Sequence, residues 1–329
     1  MVAARSTRHG RLAAAGPTPL TGVTGTSAVT AVAVNAGMYT LSESGGPSGY
    51  SPSEWVCTAG SLVGSSLTLA LNQSATCTIT NTDQAAHLTL LKEVVNENGG
   101  TALASAWTLA AAGPTPFSGT TGTNAVVKAG TYTLSESGGP AGYSPSAWVC
   151  TAGTLEGSSL TLALNQSATC TITNTDIPAT LTLQKVVVNE NGGTALVGDW
   201  TLTATQNVVE PAVLTGITGI SGQLPAGIYT LSEAGGPSGY TASAWVCGEV
   251  TLGTNDQLTL ALGQSMTCTI TNTDLPAHLT LLKEVVNTHG GTALASAWTL
   301  AAAGPTPFSG TTGTNAVVKA GTHTLSESG

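Results

Sequence analysis

The chain has 329 residues, of which only 8% are charged, against about 25% in an average soluble domain. This composition excludes a coiled coil or helical bundle, and a hydrophobic content of 41% is too high for a solvated disordered tail. The 8 basic residues against 17 acidic ones give a net charge of −9, so nucleic acid is not expected as a partner.

Three segments recur with a period of about 95 residues, which is too long for a solenoid unit and indicates tandem domains that fold separately. They read LTLLKEVVNENGG, YTLSESGGPSGY and ATCTITNTD, and the segment with Lys comes first because it directly follows each TNTD. Modules 2 and 3 are expected to be complete, and the chain is expected to be a piece of a longer protein. The predicted boundaries are 1–84 (module 1, without a first strand), 85–177 (module 2), 178–275 (module 3) and 276–329 (module 4, truncated).

The predicted elements of a module are short strands, in the chain order LTLLKEVVN, AWTLAAA, TYTLSE, SAWVC, SLTLALN and ATCTITNT. These segments are rich in Thr and Val, alternate polar with apolar residues, and are separated by turn sequences such as NGG, GPTP and SGGP. No stretch keeps a helical period for three turns. About six or seven strands per module predict an all-β fold of tandem small antiparallel β-sandwiches.

Each complete module directs one Lys, one Glu and one Asn toward its apolar face. In a strand, residues two apart share a face, and these three alternate with Leu, Tyr, Cys and Ile. The residues are Lys92, Glu136 and Asn174 in module 2, and Lys185, Glu233 and Asn272 in module 3.

Burial of such groups has a chemical consequence, because it lowers the pKa of an amine and raises that of a carboxylic acid until both are uncharged. A neutral lysine amine is a nucleophile, an asparagine amide can lose ammonia, and a protonated Glu can polarise the amide carbonyl. The pattern therefore predicts a Lys–Asn isopeptide bond. Two alternatives stay open: a hydrogen-bonded triad without a covalent bond, and a lysine whose tip reaches solvent.

The order of these residues resembles a known family. A Lys in the first strand, Tyr-Thr-x-x-Glu-x-x-x-Pro-x-Gly-Tyr in a middle strand and Asn in the last strand are similar to the prealbumin-like repeat domains of Gram-positive pilins and collagen adhesins (SpaA-like, collagen-adhesin B-type). The resemblance implies a prealbumin-like, Ig-like sandwich with a spontaneous isopeptide bond in modules 2 and 3. By that match, Lys92 and Lys185 are donors, Asn174 and Asn272 acceptors, and Glu136 and Glu233 the catalytic acids that assist.

The two outer modules depart from this pattern. Module 1 has Glu43 and Asn81 but no lysine in a first strand. Module 4 has Lys283 and Glu327 but no asparagine strand. Neither is expected to form the bond within itself.

The six cysteines form one pair in each of modules 1 to 3 at nearly constant spacing. In a chain with few charges and few large apolar residues, this indicates one disulfide per module in an oxidising compartment. The alternative is small buried thiols packed beside Trp148 and Trp245. The predicted pairs are Cys57 with Cys77, Cys150 with Cys170, and Cys247 with Cys268.

Other motifs point away from catalysis and cofactors. The sequence lacks the catalytic and nucleotide-binding motifs GxSxG, HExxH, Walker and GxGxxG, and its cysteines form no CxxC. NENGG is interpreted as a turn rather than a metal loop. No enzyme, metal or cofactor is therefore expected. The six tryptophans are interpreted as core anchors rather than a sugar platform. Arg5, Arg8 and Arg11 are not followed by the apolar run of a signal peptide, and the sequence shows no membrane-spanning tail.

The combined prediction is a secreted or wall-attached structural stalk, whose tip, absent here, would contact a host or matrix protein or a glycan. The alternative is an extracellular array of carbohydrate- or protein-binding modules without isopeptide chemistry.

Overall fold

The computed structural model describes residues 10–329, so Arg5 and Arg8 lie outside the described residues. The chain divides into two compact units, one of residues up to 94, 102–140 and 145–174, the other of residues 95–101, 141–144 and 175–329. Across the described residues, no helix is long and apolar enough to span a membrane.

The described residues form short strands and three 3-10 turns, at Ala104–Ala106, Val197–Asp199 and Ala295–Ala297. Module 1 contains β1 (Arg11–Ala15), β2 (Leu20–Val23), β3 (Gly37–Ser44), β4 (Tyr50–Pro52), β5 (Val56–Cys57), β6 (Ser61–Val63), β7 (Ser66–Leu69), β8 (Cys77–Thr78) and β9 (Asn81–Asp83). Module 2 contains β10 (Ala86–Val95), β11 (Trp107–Ala112), β12 (Phe117–Gly119), β13 (Thr123–Val127), β14 (Gly130–Gly138), β15 (Tyr143–Pro145), β16 (Val149–Cys150), β17 (Thr154–Glu156), β18 (Ser159–Leu162) and β19 (Ser167–Asp176).

Module 3 repeats the order of module 2. It contains β20 (Ala179–Val188), β21 (Trp200–Gln206), β22 (Val213–Gly216), β23 (Ile220–Leu224), β24 (Gly227–Gly235), β25 (Tyr240–Ala242), β26 (Val246–Cys247), β27 (Val250–Thr251), β28 (Gln257–Leu260) and β29 (Ser265–Asp274). Module 4 contains β30 (Ala277–Leu281), β31 (Thr299–Ala303), β32 (Phe308–Gly310), β33 (Thr314–Val318) and β34 (Thr324–Ser328).

Module 3 is a sandwich of two sheets, which confirms the predicted fold class. One sheet has the order β23-β20-β29-β26-β27 and the other the order β22-β21-β24-β28. Alternate residues of both sheets fill the space between them, and each fully buried Leu contributes about 1.5–3 kcal/mol. Module 2 has the equivalent orders β13-β10-β19 and β12-β11-β14-β18-β17.

The first and last strands of module 3 run parallel, whereas a purely antiparallel sandwich was expected. In the β20–β29 ladder, Lys185 lies level with Ile270 and Val187 lies level with Asn272. Antiparallel neighbours can be joined by a tight hairpin, but these two strands are separated by the whole module, which acts as the long connection that parallel pairing requires. Both strands therefore end on the same side of the module.

The last strand of module 1 is interrupted, unlike its counterparts. It consists of the short β8 and β9, which pair with β5 and β4, whereas β19 and β29 are continuous ten-residue strands. Within the described residues of module 1, β8 and β9 have no first strand beside them of the kind that pairs with β19 and β29. In module 4, β30 pairs with β33 alone and ends at Leu281, before Lys283.

Candidate functional site

The candidate site of module 2 is centred on a buried lysine. The Lys92 side chain is 0% exposed, and its Nζ lies 2.7 Å from Glu136 Oε2. The same Nζ sits 4.9 Å from the ring centroid of Trp107, in a cation–π contact. Lys92 also donates its backbone N–H to Thr121 Oγ1 at 2.9 Å, which fixes the strand beside the site. The lysine tip does not reach solvent.

Module 3 repeats this arrangement with small differences. Lys185 Nζ lies 3.0 Å from Glu233 Oε2 in an ion pair, and 4.9 Å from the Trp200 ring centroid. Burial lowers the pKa of Lys185, and the neighbouring Glu233 carboxylate opposes this shift without cancelling it. The amine is thus closer to its neutral, nucleophilic form than an exposed lysine.

The two asparagines predicted as acceptors are buried, and each lies in the strand next to that of its lysine. Asn174 and Asn272 are only 2% and 3% exposed, and the Oδ1 atom of each has no hydrogen-bond partner among the described residues. Because Val187 lies level with Asn272, Lys185 sits diagonally across the ladder on the same face, a separation that a long side chain spans. An unpaired buried carbonyl oxygen is costly, and each Oδ1 keeps its full capacity to accept a hydrogen bond.

The glutamates lie at the edge of the site rather than fully inside it. The Glu136 and Glu233 side chains are 14% and 15% exposed, whereas the lysines that they contact are fully buried. Each glutamate side chain therefore remains partly in contact with solvent.

The outer modules contain half-sites, as their sequences indicate. In module 1, Asn81 Nδ2 donates to Glu43 Oε1 at 2.6 Å, and this contact is exposed. In module 4, Lys283 Nζ lies 2.7 Å from Glu327 Oε2, with side chains that are 20% and 49% exposed. The Lys283–Glu327 pair keeps the Lys–Glu distance of module 2 but is more exposed.

The tryptophans beneath the lysines were interpreted only as core anchors. Trp107 and Trp200 follow the 3-10 turns, and each ring lies against the Cα of a glycine in the SGGP or AGGP segment, Gly139 or Gly236. A Cβ at either glycine would lie 2.2 Å from the ring, and both glycines have positive φ. The repeated occurrence of AWTL or DWTL together with Gly-Gly was the sequence signal that could have predicted this packing of tryptophan on glycine.

Sequence reasoning also missed an aspartate at the end of the last strand. Asp176 is 2% exposed and accepts backbone N–H groups from Glu97, Asn98 and Gly100 at 2.7–2.9 Å. Asp274 binds the equivalent turn of module 3 in the same way. The NENGG segments are thus turns held by a carboxylate, and the fixed pairing of TNTD with NENGG was the signal.

The environment of these aspartates makes them anions. Burial alone would raise the pKa of Asp176, but the N–H donors of Gly100, Glu97 and Asn98 outweigh it and hold the pKa below its ordinary value. The same balance lowers the pKa of Asp274. A carboxyl whose pKa is depressed by folding stabilises the folded state above its unfolded value of about 3.9, and this stability is lost as the pH falls through the lower folded pKa.

We expect Asp274→Asn to destabilise module 3 at pH 7 and to flatten its loss of stability in acid. The amide cannot accept all three N–H groups and does not titrate. Urea unfolding between pH 7 and pH 2 measures both effects. Asp83→Asn is the matched control, because Asp83 ends the TNTD of module 1 and is exposed. Equal acid sensitivity of wild type and Asp274→Asn would contradict the assignment.

Each of the first three modules contains one disulfide. The pairs expected from the spacing are present, so the thiols are not free. In module 3, Cys247 and Cys268 face each other across β26 and β29 and belong to the same core cluster as Trp245. Each bond joins the last strand to the strand beside it.

Removing one disulfide should lower the stability of its module. The chain-entropy model gives about 3 kcal/mol for a closed loop of roughly twenty residues. We expect Cys247→Ala with Cys268→Ala to lose about that much in chemical unfolding followed by Trp245 fluorescence, while module 2 is unchanged. Non-reducing peptide mapping provides the check on pairing, and links between modules would contradict it.

The sequence matches the family model of the prealbumin-like fold domain, SpaA type, at residues 3–79, 83–172, 176–270 and 274–329. The chain belongs to this family, which it matches four times in tandem. No curated protein matches the sequence.

Solved structures that match this chain include proteins from three organisms. The Bacillus anthracis TIE protein is 15% identical with a TM-score of 0.49, and the match covers 100% of this chain and 62% of that protein. The C-terminal fragment of pilus adhesin SpaC from Lactobacillus rhamnosus GG is 17% identical with a TM-score of 0.33, covering 60% and 100%. The major pilin T3.2 of Streptococcus pyogenes serotype GAS13637 is 14% identical with a TM-score of 0.31, covering 58% and 99%. The family assignment rests on the family model.

Proposed function

We propose that this chain is part of an extracellular structural stalk, in which modules 2 and 3, spanning 85–177 and 178–275, are each closed by a Lys–Asn isopeptide bond. The observation that carries the proposal is a buried lysine in contact with a glutamate, together with a buried asparagine in the neighbouring strand whose carbonyl oxygen is unpaired, in two separate modules. Membership of the prealbumin-like family and one disulfide in each of the first three modules support a secreted, load-bearing role without turnover of a substrate.

The bond forms in one intramolecular acyl transfer. Glu136 takes a proton from Lys92, which leaves a neutral amine and a neutral carboxylic acid. The Lys92 nitrogen attacks Cγ of Asn174 while the acid donates a hydrogen bond to Oδ1. The new C–N bond forms, the bond from Cγ to Nδ2 breaks, and a proton passes to Nδ2 so that ammonia leaves. Lys185, Glu233 and Asn272 follow the same steps, and no other reactant is needed.

The placement of the bond explains why it suits a stalk. The chain passes through the module from the first strand to the end of the last strand, and the bond would join these two strands directly. Tension would then pass from Lys92 to Asn174 without loading the roughly eighty residues between them. A contact with a host or matrix protein or glycan belongs to a tip beyond these modules.

Single-molecule stretching of the whole chain tests this function, with the disulfides reduced because each of them closes about twenty of the residues concerned. An intact bond hides about eighty residues, or roughly 280 Å of contour length, in each complete module. We expect Asn174→Ala to release that length from module 2 alone and Asn272→Ala from module 3 alone, with Asn81→Ala as the unchanged control. Release of the full length from both wild-type modules would overturn the load-bearing role.

A binding array is the alternative, and a glycan array with the same variants separates the two. Specific glycan binding that persists in Asn174→Ala with Asn272→Ala would favour the binding array.

A further inference from the structure

The turn held by Asp274 has a second, outward-facing side. Its inner side is occupied by the carboxylate, which binds the N–H groups of Glu190, Asn191 and Gly193. On the outer side, Ala320 of module 4 donates its backbone N–H to the carbonyl oxygen of Asn191 at 2.6 Å. The turn therefore connects the last strand of one module to a loop of the next.

The same contact occurs one module earlier. Asp176 holds the turn at Asn98, and Ala226 of module 3 donates its N–H to the Asn98 carbonyl oxygen at 2.8 Å. All residues of both contacts belong to the second compact unit. The docked loop reads Pro-Ala-Gly in module 3 and Lys-Ala-Gly in module 4. The same contact therefore forms although the two loops differ in sequence.

Each turn needs a glycine for two reasons: the neighbouring loop approaches it too closely for a Cβ, and its backbone has a positive φ. A Cβ on Gly192 would lie 2.3 Å from the Ala320 carbonyl oxygen, and one on Gly99 would lie 2.5 Å from the Ala226 carbonyl oxygen. Both glycines have positive φ, 92° and 86°. The third copy of the turn has Gly290 at φ 84°, yet nothing lies within 4 Å of its Cβ position.

We propose that this turn, at residues 96–100 and 189–193, is a docking surface for the following module of the same chain, with the last-strand aspartate as its anchor. The partner is the backbone of the loop around Ala226 or Ala320, recognised by one hydrogen bond and by the bare Cα of the glycine. The surface works without the isopeptide bond, so it stands or falls separately from the proposed function.

Amide hydrogen exchange on the full-length chain tests the proposal. Gly192→Ala should speed hydrogen exchange at the Ala320 amide by about tenfold or more, which corresponds to the loss of one hydrogen bond. The Ala226 amide should stay protected. Gly99→Ala should do the reverse. Gly290→Ala carries the same positive-φ strain without a docked neighbour, and it should change neither amide.

Unchanged protection of Ala320 in Gly192→Ala, or an equal loss in Gly290→Ala, would overturn the proposal. Gly192→Asn provides a second variant that tolerates positive φ better but still adds a Cβ, so it should lose Ala320 protection as well. Correct disulfide pairing and unchanged ammonia loss in the same samples show that the modules have folded and that only the joint has changed.

Discussion

The reduced full-length chain should weigh less than its sequence mass by two molecules of ammonia. Each complete module contains one buried amine, one buried amide and one carboxyl in contact, and each acyl transfer releases a single ammonia. Modules 1 and 3 provide the contrast, since Asn81 has no lysine whereas Asn272 lies diagonally across from one. Intact mass spectrometry after reduction measures the result directly.

Variants assign the two losses to their modules. Glu136→Ala should leave one ammonia unreleased, and Glu233→Ala the other, because the lysine then has no group to accept its proton. Lys283→Ala is the matched control, since Lys283 contacts Glu327 at the same distance as in module 2 but has no asparagine acceptor. A wild-type mass without any ammonia loss would refute the covalent bond and favour the hydrogen-bonded triad.

The central pair of modules should outlast both ends of the polypeptide under heat and protease. An isopeptide bond between Lys92 and Asn174 closes a loop of about eighty residues, which the chain-entropy model values at roughly 4.5 kcal/mol. That is close to the whole stability of a small domain. Limited proteolysis followed by mass spectrometry should therefore accumulate a fragment near residues 85–276.

The acceptor variants give the size of this effect. Asn174→Ala should lower the unfolding free energy of module 2 by about 4.5 kcal/mol and make it as protease-sensitive as module 4, while Asn81→Ala should leave the fragment unchanged. Survival of residues 1–84 for as long as the central pair would contradict the prediction and would mean that module 1 gains stability from another source.

Strand periodicity was enough to predict the fold class and the burial of the lysines. Alternation placed Lys92 among leucines and Asn174 beside Ile172, and both side chains are buried in the structure. The inward direction of Glu136 was predicted less well, because a side chain near the end of a strand can lean toward solvent without leaving its face.

The pairing of strands far apart in sequence could not be predicted from the local alternation of polar and apolar residues. Nothing in the alternation of β20 or β29 distinguishes a parallel from an antiparallel ladder, since the connection between them is a whole module. The role of Asp176 was hidden for a similar reason, because its partners Glu97 and Gly100 lie far away in sequence. Such contacts depend on which strand ends meet at one edge of the module.

The parallel ladder between β20 and β29 determines how module 3 fails under load. Pulling the start of the first strand away from the end of the last strand slides the two past each other in shear. The evenly spaced hydrogen bonds of a parallel pair then bear the force together, whereas a hairpin pulled from its open end unzips one bond at a time. The parallel direction of the two strands thus gives module 3 a mechanical strength that does not depend on an isopeptide bond.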